Sequence, residues 1–189
     1  MKPALFVVAA LAWLLAGQTV TATDTYQLDA AHTEVGFTID HLVINTVRGR
    51  FKEVAGTVTL DGSAVTAATA TIQTKSIDTG IDKRDDHLRS ADFFGAEQHS
   101  TLTFESTKVQ DGVLTGKLTM HGVTRDVELP YTLKGPIKDP WGNARVGIRA
   151  TAKLNRKDYG LMWNKALETG GLVVGEEVTI EINAEAVKK

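Results

Sequence analysis

The sequence predicts an all-β protein, an eight-stranded antiparallel up-and-down barrel with one or two short helices at an end. Three observations predict it. Apolar and polar residues alternate with period two through most of the chain, the signature of strands that bury one face. Turn chemistry punctuates the alternation, with Asp61-Gly62 and Asp111-Gly112 in hairpin positions and His121-Gly122 closing another strand. Consecutive strands that each carry one apolar face must cover it, and a sheet of about eight does so most simply by closing on itself.

The first residues follow a different pattern. Lys2 supplies a positive start, Ala4 to Ala16 carries no charge, and Val20-Thr21-Ala22 offers small or permitted residues for cleavage. That is the layout of a secretory signal peptide. The uncharged run is too short for the roughly 20 residues a membrane-spanning helix needs. Cleavage after Ala22 is expected, with residues 1–22 the signal and 23–189 a single domain.

The strands then follow in order. In 33–42, Val35, Phe37 and Ile39 share one face; in 47–51, Val47 and Phe51 do. Val58 and Leu60 fall on the even phase, so a bulge or corner near Lys52–Val54 must switch the register. Ala68, Ala70 and Ile72 mark the next strand, followed by Leu102 with Phe104, and by Leu114, Leu118 and Met120. Val127, Leu129, Tyr131 and Leu133 form another; Pro130 within it argues for an edge position or a locally open ladder. Val146, Ile148, Ala150, Ala152 and Leu154 precede the last strand, where Val178, Ile180, Ile182 and Ala184 alternate.

Small residues at inward positions (Ala68, Ala70, Gly116, Ala150, Ala152, Ala184) leave two readings of the interior. One is a ligand cavity, since a barrel of this size either fills with side chains or holds one small ligand. The other is a packed core closed by Phe37, Phe51, Phe104 and Met120.

Two segments break the rhythm. From 76 to 94, Ile81, Leu88 and Ala91 lie on one helical stripe, with Asp78, Thr79 or Asp82 as caps and Asp85–Arg89 at i,i+4 spacing. This predicts a short helix over about 81–91 that covers a barrel mouth, with Phe93-Phe94 turning inward. Arg84, His87 and Arg89 there either meet a polar or anionic head group or form a solvated face whose charges pair with one another. The second segment, 155–175, holds Trp163; Trp141 sits in "DPWGN". Both suit packed loops or an aromatic lip around an apolar entrance.

Composition excludes several functions. A net charge of −2 provides no field for nucleic acid, and the absence of cysteine removes disulfides, thiolate nucleophiles and cysteine-based zinc sites. No pair of histidines has metal-ligand spacing, and His32-Thr33-Glu34 lacks the cysteines a deaminase site would add. Neither a catalytic residue nor a metal is assigned. A cysteine-free exported chain fits the bacterial periplasm.

Together the blocks "YQLDAAHTEVGFTIDHL", "VRGRF", "SIDTGIDKRDDHLRSADFF", "LTFES", "GKLTMHGVTRDVEL" and "DPWGNARVGIRATAKLNRKDYGL" resemble the YceI-like family of bacterial periplasmic proteins, described as polyisoprenoid-binding and lipocalin-like. The likeness runs from about Tyr26 to Val187. Gly95 and His99 depart from it, where the family more often shows Asp and Pro.

The resemblance implies a barrel with an elongated apolar pocket for a long-chain isoprenoid, an isoprenoid quinone or a similar amphiphile, and no catalytic residues. The tail contacts expected on that basis are Val35, Phe37, Ile39, Phe51 and Ile72 on the first strands, with Phe104, Leu118, Met120, Ile148 and Ile180 on the later ones. At the mouth, Arg84, His87, Arg89, Phe93, Phe94, Trp141 and Trp163 are the candidates. Transient contact with the inner membrane and a homodimer are expected partners beside the lipid. Two alternatives stand beside the carrier: an accessory protein for a membrane partner, in quinone-linked electron transfer for instance, and an enzyme acting on a lipid through His87 or His32.

Overall fold

The alternation becomes strand along nearly its whole length. The structure, a computed structural model, describes residues 23–168 and 170–189; the expected signal at 1–22 lies outside the described residues. The strands are β1 (Asp24–His41), β2 (Asn45–Phe51), β3 (Val54–Asp61), β4 (Ala64–Gln73), β5 (Ile77–Asp78), β6 (Thr101–Gln110), β7 (Val113–Met120), β8 (Val123–Lys138), β9 (Ala144–Asn155) and β10 (Val174–Lys188), with a helix α1 (Asp82–Arg89) after β5. Eight of them close an antiparallel ring in the order β1-β3-β4-β6-β7-β8-β9-β10, sealed by β10 against β1; β2 and β5 are additional.

The predicted register switch is real. β2 pairs with the second half of β1, from Val35↔Phe51 to His41↔Asn45, while β3 pairs with its first half, from Asp24↔Leu60 to Gln27↔Thr57. The two act as one strand bent at Lys52–Glu53, and the bend moves the inward phase from Phe51 to Val54 and Val58. β1 is longer than its alternation suggests because it carries a bulge of its own. Its partners on β10 jump from Leu28↔Ala186 to Thr33↔Ala184, so residues 29–32 loop out opposite Glu185. Pro130 is no edge residue, since the barrel has closed. It ends the β7 pairing at Val113↔Pro130, and β8 takes up β9 from Tyr131, so the missing N–H falls where one ladder stops.

The barrel has two different ends. The hairpins 61–64 and 110–113 and the loop 139–143 form one. Beneath them a packed cluster includes Tyr26, Leu60, Val65, Leu114, Val146 and Ala186. The turn 42–44, the segment 74–100, the turn 121–122 and the stretches 156–168 and 170–173 form the other, above a cluster of Val35, Phe51, Ile72, Ile77, Met120, Tyr159 and Leu161.

The helix differs from its prediction. It covers Asp82–Arg89, and Ile81 and Ala91 are exposed, so only Leu88 of the proposed stripe reaches the barrel. Just over two turns offer little apolar surface, and polar ties hold the element instead. The buried Asp85 carboxylate accepts from the Thr79 backbone N–H (2.9 Å) and hydroxyl, while Arg84 donates to the Thr79 hydroxyl (2.7 Å) and carbonyl (2.8 Å). Asp85 therefore does not pair with Arg89. Arg89 bonds Asp86 (2.9 Å) and donates to the carbonyls of Lys75 and Ile77, stitching the helix to the strand before it. Gly95, the departure from the family pattern, has φ +53 and sits in the turn where its N–H reaches the Ser90 carbonyl; glycine suits that left-handed conformation.

Candidate functional site

The inward faces enclose an apolar cavity of about 360 Å³. All the expected tail contacts line it: Val35, Phe37, Ile39, Phe51, Ile72, Phe104, Leu118, Met120, Ile148 and Ile180. Both readings of the interior hold a share of the truth. Large residues do fill space over small ones: a Cβ on Gly116 would lie 2.6 Å from the Phe104 ring, and one on Gly49 2.4 Å from Phe37. These aromatic–glycine pairs consume the volume at Gly116, which is not part of the cavity wall, and Ala152 is likewise outside it. Ala68, Ala70, Ala150 and Ala184 do border the cavity, and there the volume survives. It exceeds the ~150 Å³ apolar void known to admit benzene and falls within the roughly 300–1,000 Å³ of ligand pockets.

Aromatic rings organise the helix end of this space. Phe37 meets Phe51 at 6.0 Å between centroids, and Phe51 meets Phe94 edge-on at 5.8 Å. His87, Phe93 and Trp163 form a triangle with centroids 5.0, 5.0 and 5.1 Å apart. Arg84, His87, Phe93, Phe94 and Trp163 all border the cavity, as expected for the mouth.

Two expected mouth residues do not. Arg89 is spent on the carbonyls behind the helix. Trp141, 81% exposed, stands in the loop between β8 and β9, at the opposite end of the barrel. Its segment is a turn held by Asp139, whose Oδ1 accepts from the backbone N–H groups of Trp141 (3.0 Å) and Asn143 (2.8 Å).

His87 Nε2 lies 2.9 Å from Asp92 Oδ2 at the rim. His32 is elsewhere, in the β1 bulge on the barrel's outer face, with Nδ1 2.9 Å from Asp29 Oδ2. Asp29, His32 and Glu185 lie close enough to suggest metal ligands, with donor atoms within 4.8 Å of one another. A guanidinium already occupies the position of a cation there: Arg145 Nη1 donates to Asp29 (2.8 Å) and Glu185 (3.2 Å). Arg145 and then His32 hold the Asp29 carboxyl down at about 2.

One polar residue of the cavity wall escaped the sequence reading. Arg156 follows β9 in a short 3-10 turn (Arg156–Tyr159) and is only 2% exposed. Its Nε donates to the Gly175 carbonyl (2.8 Å) and its Nη1 to the Leu161 carbonyl, while its buried Nη2 has no partner. Burial pushes its pKa down, against a weaker opposing pull from Glu176. The signal was present in the sequence. Val146, Ile148, Ala150, Ala152 and Leu154 set the inward phase of β9, and Arg156 is its next position.

The match to the YceI-like domain model extends from residue 26 to 186. The chain belongs to the YceI-like family. Relatives of this YceI-like chain include UPF0312 proteins of Staphylococcus aureus, one 38% identical over 163 residues, which cover 85% of this chain and 95% of the relative. The Campylobacter jejuni YceI protein superposes with a TM-score of 0.69 at 31% identity, covering 86% of this chain and 96% of that one. Two more distant structures carry the fold alone. Burkholderia cenocepacia BcnA has a TM-score of 0.73 at 22% identity, covering 84% and 99% of the two chains. A polyisoprenoid-binding domain from Saccharophagus degradans, implicated in plant cell wall breakdown, has 0.68 at 17%, covering 87% and 98%.

Proposed function

We propose that this protein is a periplasmic carrier that holds a long-chain isoprenoid or similar amphiphilic lipid, an isoprenoid quinone included, inside its barrel. The observation that carries this reading is the apolar cavity of about 360 Å³ bordered by Arg84, His87 and Arg156 at its helix end. Each Å² of tail removed from water contributes about 25 cal/mol, while a few polar groups set orientation. The Saccharophagus domain binds polyisoprenoids on the same fold, which supports the ligand class. The signal-like pattern of residues 1–22 supports export. The cavity side chains bind and orient, and the proposed role is carriage without turnover.

Transient membrane contact follows from the same end. Val43 and Ile44 in the β1–β2 turn are 73% and 85% exposed, and neighbouring His41 and Val47 border the cavity. Apolar tips beside a lipid cavity suit shallow insertion into a bilayer during loading.

Native mass spectrometry of protein from a detergent-free periplasmic extract, followed by organic extraction, tests the carrier. A stoichiometric long-chain lipid is expected, absent from Phe104→Asp protein that still folds. Phe104→Asp protein that keeps its lipid would overturn the cavity assignment.

A further inference from the structure

The carrier reading leaves the lipid's head group open, and Arg156 narrows it. A guanidinium has a fixed positive charge and five N–H donors. Proteins that draw such a group from water pair it with a carboxylate, and the half-buried Arg145 shows how this chain does so, with Asp29, Asp139 and Glu185 all within ion-pair distance. Arg156 has no such partner. Among the described residues no carboxylate forms an ion pair with it, and the nearest influence, Glu176, is itself bound to Lys157. Two backbone carbonyls fix the plane of the guanidinium, and the third nitrogen is left over. The residue is buried and borders the cavity.

The surroundings fit a negative guest. Arg84 and His87 border the same cavity. His87 is held by Asp92, and Arg84 by the Thr79 hydroxyl and carbonyl, with no carboxylate ion pair among the described residues. Asp40 is the acid on the wall; its carboxylate is exposed and accepts from Thr46 (3.3 Å). At the far end the wall is aliphatic, with Val65, Leu114 and Leu129 beneath the hairpins.

We propose that Arg156 is the head-group anchor of the cavity: the bound lipid ends in an oxyanion, a phosphate or a carboxylate, which accepts a hydrogen bond from Nη2 and supplies the missing counter-charge, with its chain running toward Val65, Leu114 and Leu129. The inference rests on the carrier reading and refines it from amphiphile to anionic amphiphile. A charge-assisted hydrogen bond is stronger than one to a neutral oxygen, so the anchor discriminates between heads on the same tail.

The test compares matched probes on purified protein stripped of carried lipid: farnesyl phosphate against farnesol, and palmitate against hexadecanol. Wild-type protein is expected to bind at least one anion roughly tenfold or more tightly than its alcohol. The arm that shows the preference tells phosphate from carboxylate. In Arg156→Met protein the preference should fall to near one, and in Arg156→Lys protein part of it should return. Because Arg156 also holds two carbonyls, wild-type protein provides a second measurement if the variants fail to fold. The Arg156 Nε–H resonance, in ¹⁵N-arginine spectra, should shift with the anion and far less with the alcohol. Equal affinities for anion and alcohol would overturn the anchor and leave the carrier standing, as would a preference that survives in Arg156→Met. If neither member of either pair binds, the carrier itself falls.

Discussion

Two arginines lie at opposite ends of the same strand, and their fates differ. Arg145 is the second residue of β9 and Arg156 follows its last. They stand eleven positions apart, an odd offset, so parity alone sends one to the outer face and the other to the inner. Outside, Arg145 gathers Asp29 and Asp139 at 2.8 Å and Glu185 at 3.2 Å and ties the β1 bulge to the 139–143 loop. Inside, Arg156 gathers two carbonyls and, among the described residues, no carboxylate, and one nitrogen is orphaned. The first is organised for stability. The second keeps capacity in reserve at a cavity wall, which is what a binding group requires.

The largest expected effect breaks the Arg145 end. Arg145→Met strands the Asp139 and Asp29 carboxylates and loosens the loop that Asp139 caps. A fall in Tm of more than about 5 °C is expected, with the barrel's β signal retained below the transition. The pH dependence follows from the depressed carboxyls. Asp29 sits at about 2 in the folded chain against an ordinary 3.8, so its contribution is complete above the unfolded value and lost as pH falls toward 2. Asp139 is depressed as well, chiefly by Arg145. Acid melts of the variant should therefore be flatter than wild type below pH 4, and an unchanged acid slope would show that Arg145 is not the source.

The next effect sharpens the contrast at the other end. Leu42 and Val43 have φ of +54 and +65, a left-handed conformation that a β-branched residue adopts only under constraint. That conformation costs about 1–2 kcal/mol per residue. Val43→Asn should relieve part of it, raising Tm by about 2–4 °C while weakening association with lipid vesicles in a flotation assay. Higher stability with undiminished vesicle binding would detach the turn from any membrane role.

The outcome at each residue shows what sequence can reveal. Period-two alternation put Val35, Phe37, Ile39, Ile72, Phe104, Leu118, Ile148 and Ile180 on the cavity wall because strand geometry maps parity directly onto inside and outside. It also gave the corner at Lys52–Glu53, where parity changes. It failed where parity is not the organising variable. Ile81 and Ala91 occupy a helical stripe that a two-turn helix never buries, because Asp85 and Arg84 anchor that helix through Thr79. Trp141 was grouped with Trp163 by residue type, yet β8 and β9 carry its loop to the far end. The bulge at 29–32, made by looping residues out of the ladder, leaves no periodic trace. Arg156 was legible, but as a violation: a charge on the inward phase, easily read as the first residue of a loop.

The smallest expected effect separates the two orphaned donors. Arg156 Nη2 and the Tyr159 hydroxyl are both buried without partners, and they belong to the same 3-10 turn. Arg156 borders the cavity, whereas the Tyr159 ring packs among Ile77, Leu102, Met120 and Leu161 and is 2% exposed. Burial pushes the Tyr159 hydroxyl up to about 12. A buried hydroxyl that bonds nothing is a net cost, so Tyr159→Phe should stabilise by about 1 kcal/mol at neutral pH and leave the preference for anionic probes untouched. The raised pKa adds a sign. Neutral Tyr159 is favoured in the folded chain, so wild type loses stability as pH rises from 10 toward 12, and the phenylalanine variant should lose less. Spectrophotometric titration near 295 nm should lose the tyrosine transition at about 12. If Tyr159→Phe instead weakened anion binding as Arg156→Met is expected to, the head-group site would extend beyond the cavity wall into the core behind it, and the two orphans would be one site.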